Sequence, residues 1–574
     1  MNLLTRLLSS IWVVATVVST PAHAASVAPV AAEHGMVVTA QHLATKVGVD
    51  VLKRGGNAVD AAVAVGYALA VVYPAAGNLG GGGFMTLHLA DGRQTFIDFR
   101  EVAPLAASVD MYLDGAGEVI PGLSTLGYKA VAVPGTVAGL ELALSRYGSM
   151  RRAQLMAPAI DLAERGFVLD SGDVQMLESA AALLAADPTS AAIFLDAGAA
   201  PGVGDKLRQK DLARTLKAIA RHGADGFYRG KVAEALVAAS RADGGLLTAQ
   251  DLKQYRAIER EPLRCDYRGY QIVSAPPPSS GGVSVCQILG ILEGYPLVEL
   301  GFHSAQAVHY QIEAMRHAYV DRNFELGDPA FVDNPLAHLL DRDYAAQIRT
   351  RIQPQKAGVS ADLKPGVVIH EGSNTTHYSI ADSAGNAASV TYTLNDWFGA
   401  KVTASGTGVL LNNEMDDFTA KVGAPNLYGL IQGEANAIAP GKRPLSSMSP
   451  TIVTRDGKPV MVLGTPGGSR IITAVLLTLL NVIDYGMNIQ EAVDAPRFHH
   501  QWMPDVTYVE DYALSPDTRG LLLEWGHTLV EPQPDNHLAA ILIGAPSLRA
   551  APVSGLRFFG ANDPRRGSGL ALGY

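Results

Sequence analysis

Two adjacent threonines, Thr375 and Thr376, stand at the start of the stretch "NTTHYSIADSAGNAASVTYTLN", far from either chain end. A threonine hydroxyl is a weak nucleophile that needs a base to take its proton. No triad-like spacing surrounds this pair. A break before Thr375 would supply the base. The Thr375 hydroxyl can attack the Asn374 carbonyl, giving an ester by N-to-O acyl shift that water then releases. The new chain begins at Thr375, and its α-amine, with an ordinary pKa of ~8, can act as base for the adjacent hydroxyl. One residue then carries both nucleophile and base.

The elements around this pair decide what it can reach. "TTHYSIAD" and "NAASVTYTLN" alternate in the manner of strands around the turn "SAGN", so they read as a hairpin. With the turn centred near Ala384–Gly385, Thr375 lies opposite residue 393 or 394. Alternation puts Thr375, His377 and Ser379 on one face and Thr376 and Tyr378 on the other, with Thr393 close to Thr375. Upstream, residues 352–374 lack apolar periodicity and carry Pro354, Pro365 and several glycines, which predicts an exposed connector.

Elsewhere helical and strand patterns mix. A helix from His42 is closed by Gly55 and Gly56, and Asn57 caps a second, all-round apolar helix that should be buried. Two strands flank the turn "ADGR", and residues 134–260 are mainly helical. "APPPSSGG" is a rigid turn into the helix "VSVCQILGILEG", while "SPTIVTRDGKPVMVLGTP", "AAILIG" and "GLRFFGAND" read as strands. "RIITAVLLTLLNVIDYG" and "NIQEAVDAP" are helical. This mixture predicts a layered α/β protein.

The 574 residues are 48% hydrophobic and 17% charged, enough for a large core and unlike a disordered chain. Residues 1–24 carry one early positive charge, Arg6, an apolar run and Ala22-His23-Ala24, the pattern of a cleaved secretory signal peptide. The alternative, a membrane anchor, is disfavoured by the short apolar core. Net charge is −10 for the full chain. An acidic chain without basic runs is a poor nucleic-acid binder. The two cysteines, Cys265 and Cys286, read as buried apolar side chains, with a single bridge as the less favoured alternative. His499 and His500 are adjacent rather than helically spaced, which suits packing better than a metal. The Gly80–Gly83 run has no following Lys-Ser/Thr, and no Gly-x-Ser-x-Gly occurs, so nucleotide-binding and nucleophile-elbow readings fall away.

"NTTHYS", "TYTLN", "NNEMDDF", "KRPLSSMSPTIV", "GTPGGSRI", "DAPRFHHQW" and "IDFRE" together resemble the γ-glutamyltransferases (γ-glutamyl transpeptidases), especially the bacterial periplasmic type, from about His34 to the C-terminus. The resemblance implies a four-layer αββα sandwich of the N-terminal nucleophile hydrolase type. It implies autocatalytic cleavage into a large subunit, 25–374, and a small subunit, 375–574, folded together as one unit. It makes Thr375 the nucleophile, Thr393 its hydrogen-bonding neighbour, and Gly467 and Gly468 the donors of an oxyanion hole. Arg100, Ser446 and Ser447 would hold the α-carboxylate of a γ-glutamyl group. Asn395, Glu414 and Asp417 would hold its α-ammonium. Residues 421–436 resemble a lid loop with Tyr428 as its gating aromatic. Without the resemblance, Arg100 reads as a surface ion-pair residue and Asp416–Asp417 as a solvated turn.

The expected substrates are glutathione and related γ-glutamyl compounds, with water, amino acids or peptides as acceptors. No metal or organic cofactor, nucleic acid or membrane is called for once the signal peptide is gone. Two other readings compete. A sibling acylase acting on glutaryl or cephalosporin side chains would leave Glu414 and Asp417 with nothing to bind. A glutathione-capturing solute-binding protein would have no use for a scissile bond before a threonine.

Overall fold

The computed structural model describes residues 26–364, 375–531 and 536–574. The signal-peptide stretch 1–24 and the bond between Asn374 and Thr375 lie outside the described residues. Two seven-stranded antiparallel sheets form the centre. One runs in the order Leu570–Gly573, Gly35–Thr39, Thr376–Asp382, Ala387–Thr393, Gly82–His88, Gln94–Phe99 and Ile258–Arg260. The other runs Val30–Ala32, Phe558–Asn562, Ala539–Ile543, Lys458–Gly464, Thr451–Arg455, Tyr270–Ser274 and Leu263–Tyr267. Both sheets therefore mix strands from before and after residue 374.

The sheets pack face to face through Met36, Val38, Ala381, Ile452, Val462 and Ile541. Helices cover the two outer faces. His42–Lys53, Ala58–Val72 and Arg152–Arg165 lie over the first sheet, and Gly281–Leu292, Ala305–Glu325 and Arg470–Ile483 over the second. The result is the αββα sandwich, with helix, sheet, sheet and helix in succession.

Local chemistry explains the outer layers. All 15 residues of Ala58–Val72 are buried, as a helix apolar on every face requires. Asn57 caps it, accepting from the N–H groups of Val59 and Asp60, while the Asp60 carboxylate accepts from the Asn57 N–H. A cap of this kind contributes about 1 kcal/mol. Most of Ala305–Glu325 is enclosed, including His309, Glu313, Arg316 and Arg322, so it presents no polar face to solvent.

Two expectations need correction. Cys265 and Cys286 are joined by a disulfide. Strand alternation puts Cys265 on the inward face with Leu263 and Tyr267, beneath the helix that carries Cys286. Apolar burial and bridging are therefore not alternatives at this site. The bridge closes a loop with a sequence separation of 21 residues, so replacing both cysteines by serine should cost roughly 2–4 kcal/mol. Calorimetry should show a melting temperature lowered by several degrees, and an unchanged midpoint would remove the bridge from the stability of the fold.

The stretch 352–374 is also not an exposed connector throughout. Ile352 and Ser360 are buried, and Ser360–Leu363 forms a helical turn. The Gly358 N–H donates to Glu313 at 3.1 Å, and the Ser360 N–H donates to Asp505 at 2.8 Å. Polar side chains on the enclosed helix and in the 498–505 segment hold Gly358 and Ser360, where an apolar pattern would not reveal them.

Candidate active site

Thr375 directly precedes a central strand of the first sheet. The register pairs Thr376 with Tyr392 and His377 with Thr391, so Thr375 comes level with Thr393. Thr393 Oγ1 donates to Thr375 Oγ1 at 3.3 Å, and the Asn395 N–H donates to Thr393 Oγ1 at 2.8 Å. Both threonines are buried.

Alternation places His377, Ser379 and Ser389 between the sheets, where Ser379 and Ser389 donate to carbonyls of Ala539 and Leu463 in the opposite sheet. His377 contacts Thr391 Oγ1 at 2.8 Å and Ser379 Oγ at 3.0 Å. Burial, with a smaller effect from His537, pushes its pKa down to about 3. It is a neutral linking residue and not a base for Thr375.

The opposite sheet delivers the second component. Strand Lys458–Gly464 ends three residues before Gly467, and helix Arg470–Ile483 begins two residues after Gly468. Gly467 has φ 133° and Gly468 φ 53°, conformations that side-chain-bearing residues rarely take. Space forbids a side chain as well. A Cβ on Gly467 would lie 2.1 Å from Asn536 Nδ2, and one on Gly468 2.4 Å from the Tyr428 ring. Among the described residues no acceptor takes the N–H of either glycine. Two backbone donors at the start of a 14-residue helix sit at the positive end of its dipole, a setting suited to a developing oxyanion.

Arg100 follows strand Gln94–Phe99 and is enclosed rather than at the surface. Nη1 donates to Glu414 and Nη2 to Asp417, while Nε reaches the Pro444 carbonyl at 3.2 Å and Nη2 also the Leu445 carbonyl at 3.2 Å. Burial opposes its charge, but Glu414, Asp417 and Glu101 more than offset it and raise its pKa. Glu414 and Asp417 come from the 3₁₀ turn Glu414–Asp417, which is buried and not a solvated turn. Burial, then competition between Arg100 and like charge from Glu101 and Asp417, leaves the Glu414 pKa well raised. Glu101 is raised by the same burial, which the Arg100 guanidinium 4.0 Å away opposes.

One narrow cavity of about 20 Å³ gathers Thr375, Thr393, Asn395, Arg100, Glu414, Asp417, Tyr428, Ser446, Ser447 and Gly468. Of the residues singled out in the sequence, only Gly467 is not part of its wall. The Tyr428 hydroxyl donates to the Asn395 carbonyl at 2.7 Å, and the Leu427 N–H donates to Asp416 at 2.8 Å, so the 421–436 segment lies closed over the site. The cavity wall also includes Arg322, which the sequence reading did not single out. Apart from Asn323, its partners Ser280, Gln432 and Ser447 are distant in sequence, so no local pattern marks it.

Ligand-type atoms close enough for a metal occur, among the described residues, at His309, Glu313 and His527. His309 Nδ1 and His527 Nε2 already meet at 2.8 Å, and Arg316 stands 3.4 Å from Glu313. The arginine opposes a cation there, so the cluster is a hydrogen-bond network. His499 and His500 are likewise buried links, to Thr473 and Gln501 and to the Val506 carbonyl. The adjacent pair therefore serves packing. No helix among the described residues is long and apolar enough to cross a membrane.

An αββα sandwich with a threonine opening a central strand, facing a glycine pair from the opposite sheet, has the layout of the N-terminal nucleophile hydrolases. The family model for Gamma-glutamyltranspeptidase matches residues 44–572, and the chain belongs to that family. It is 69% identical over 553 residues to a glutathione hydrolase proenzyme from Pseudomonas sp. (strain A14), covering 96% of each chain. It is 48% identical over 548 residues to the glutathione hydrolase proenzyme of Escherichia coli (strain K12), covering 95% of this chain and 93% of that one. Among solved structures, cephalosporin acylase from Bacillus halodurans superposes with a TM-score of 0.82 at 27% identity, covering 97% of this chain and 98% of that one.

Proposed function

We propose that this protein is a γ-glutamyltransferase and glutathione hydrolase that matures by cleaving its own chain between Asn374 and Thr375. The observation that carries the reading is the convergence of Thr375 with Arg100, Glu414 and Asp417 in one narrow cavity. A γ-glutamyl group presents an electrophilic carbonyl at one end and a carboxylate beside an ammonium at the other. The cavity offers a hydroxyl at one point and opposite charges at another. These charges neutralise each other where Arg100 lies against Glu414 and Asp417. An entering amino-acid zwitterion matches them exchange for exchange. Its carboxylate takes Arg100 with Ser446 and Ser447, and its ammonium takes Glu414, Asp417 and the Asn395 side chain.

Chemistry then proceeds in two steps. The Thr375 hydroxyl attacks the γ-carbonyl, and its proton passes to the Thr375 α-amine. Thr393 holds the hydroxyl, and the Gly467 and Gly468 N–H groups receive the oxyanion. The α-amine returns the proton to the leaving nitrogen as the C–N bond breaks, leaving an ester on Thr375. Water or an acceptor amine repeats the sequence in reverse and restores the hydroxyl. The cavity is too small for this substrate while Tyr428 is down, so the lid must lift for entry and its return excludes water.

The subunits 25–374 and 375–574 would stay together because both contribute strands to each sheet. The pattern of residues 1–24 supports export to the periplasm, and the Cys265–Cys286 bridge suits an oxidising compartment. Mass spectrometry of purified protein incubated briefly with a γ-glutamyl anilide tests the reading. Two fragments are expected, the smaller beginning Thr-Thr-His-Tyr and gaining one γ-glutamyl group. An intact, unacylated chain would overturn it and revive the solute-binding alternative.

A further inference from the structure

Arg322 lies in helix Ala305–Glu325 and is buried beside the cavity. Its surroundings differ from those of four other buried arginines. Arg100, Arg316, Arg443 and Arg497 each face a carboxylate at ion-pair distance. Arg322 instead donates to neutral oxygens: Nε to Ser280 Oγ at 3.1 Å, Nη1 to Asn323 Oδ1 at 2.8 Å and Gln432 Oε1 at 3.1 Å, and Nη2 to Ser447 Oγ at 3.1 Å. No carboxylate among the described residues comes within 4 Å of it. Burial, with repulsion from Arg100 as a lesser cause, draws its pKa down to about 10. A charge buried this way is expensive unless something anionic completes its environment.

The direction of its hydrogen bonds shows what it arranges. A guanidinium has donors only. Ser447 Oγ therefore accepts from Arg322, and the Ser447 hydroxyl proton must go elsewhere, the open side being the cavity that Ser447 lines. Ser280 Oγ likewise accepts from Arg322 and gives its own proton to the Ser446 carbonyl at 2.6 Å, fixing the backbone between the two serines. Gln432, at the far end of the lid segment, is tied to the same guanidinium.

We propose that Arg322 is a positioning residue for the donor's α-carboxylate, turning the Ser447 hydroxyl toward it and supplying positive charge behind it. The inference rests on the γ-glutamyl reading and adds to it a second arginine that acts through a serine. Arg100 binds the carboxylate from one side. Arg322 keeps the serine side polarised and in place, and links it to the closed lid through Gln432.

The test compares two anilides with the same scissile bond, γ-glutamyl and 4-aminobutyryl, the second having the amine but no α-carboxylate. Arg322→Met and Arg322→Lys are measured beside Ser447→Ala and the Met/Ala double variant, with fragment sizes and melting temperature as folding controls. Arg322→Met should raise KM for the γ-glutamyl anilide at least about tenfold, with a much smaller change in kcat. The preference for it over the 4-aminobutyryl anilide should fall by a similar factor. Arg322→Lys should lose part of that preference, since one ammonium cannot hold Ser280, Gln432 and Ser447 together. The double variant should lose little more than the worse single variant.

Retained preference in a folded Arg322→Met enzyme overturns the inference, as does an equal loss on both anilides, the mark of a merely structural role. If the Met variant does not fold, the Lys variant decides, and a wild-type preference there also overturns it. A wild-type enzyme with no preference between the anilides would instead sink the γ-glutamyl reading beneath it.

Discussion

Thr375→Ala is expected to be purified as one unprocessed chain with activity reduced at least about 10⁴-fold, the largest effect of any single substitution in this protein. The substitution removes the atom that performs both the acyl shift and the attack on substrate. Its structural cost is small, because Thr375 precedes the strand and the ladder bonds of Thr376–Asp382 remain. The melting temperature should stay within a few degrees of that of the unprocessed precursor. Thr375→Ser keeps a hydroxyl at the same place and should still cleave, more slowly. Thr376 is not an alternative nucleophile, because alternation points it to the opposite face, where its Oγ1 is buried with no partner among the described residues. Gel and mass analysis of the Ala variant settles the matter. A correctly cleaved, active Thr375→Ala protein would contradict the mechanism.

The elements around Thr375 were readable because they are local. The hairpin has strict alternation and a four-residue turn, so its register followed from counting, and Thr375 comes level with Thr393 as expected. The capped helix at Asn57 was equally plain, since both cap and burial are encoded within a few residues. Long-range polar contacts were not legible. On residues alone Arg100 looked like a surface side chain, because nothing near it in sequence reveals Glu414 and Asp417, more than 300 positions away. Arg322 escaped for the same reason, its partners coming from residues 280, 432 and 447. The cysteine bridge is encoded in the alternation that faces Cys265 inward, and not in the spacing of the two residues. The first part of the stretch before Thr375 is held by polar side chains from distant segments, which leave no apolar pattern.

Donor discrimination separates the transferase from the acylase, whose architecture is so similar that the fold cannot decide between them. A glutaryl anilide has the same carbonyl and the same carboxylate as a γ-glutamyl anilide but lacks the α-ammonium. Its carboxylate can draw Arg100 away from Glu414 and Asp417 only by leaving those acids without a positive partner. Glu414 is fully buried and Asp417 nearly so, with Glu101 adding like charge beside them. An unmatched buried charge of this kind typically costs several kcal/mol, and protonating Glu414 would relieve only part of it. The kcat/KM for the γ-glutamyl anilide should therefore exceed that for the glutaryl anilide at least about a hundredfold, or ~2.7 kcal/mol. Asp417→Asn should narrow the gap mainly by damaging the γ-glutamyl reaction, since the asparagine keeps a hydrogen bond but loses the charge that the proposed reading pairs with the ammonium. Arg100→Lys should weaken both donors together, because both present a carboxylate and lysine cannot make the two-pronged contact. Comparable turnover of the two anilides by the unmodified enzyme would mean that the acidic pair serves only to hold Arg100 in place, and the acylase reading would then be the better one.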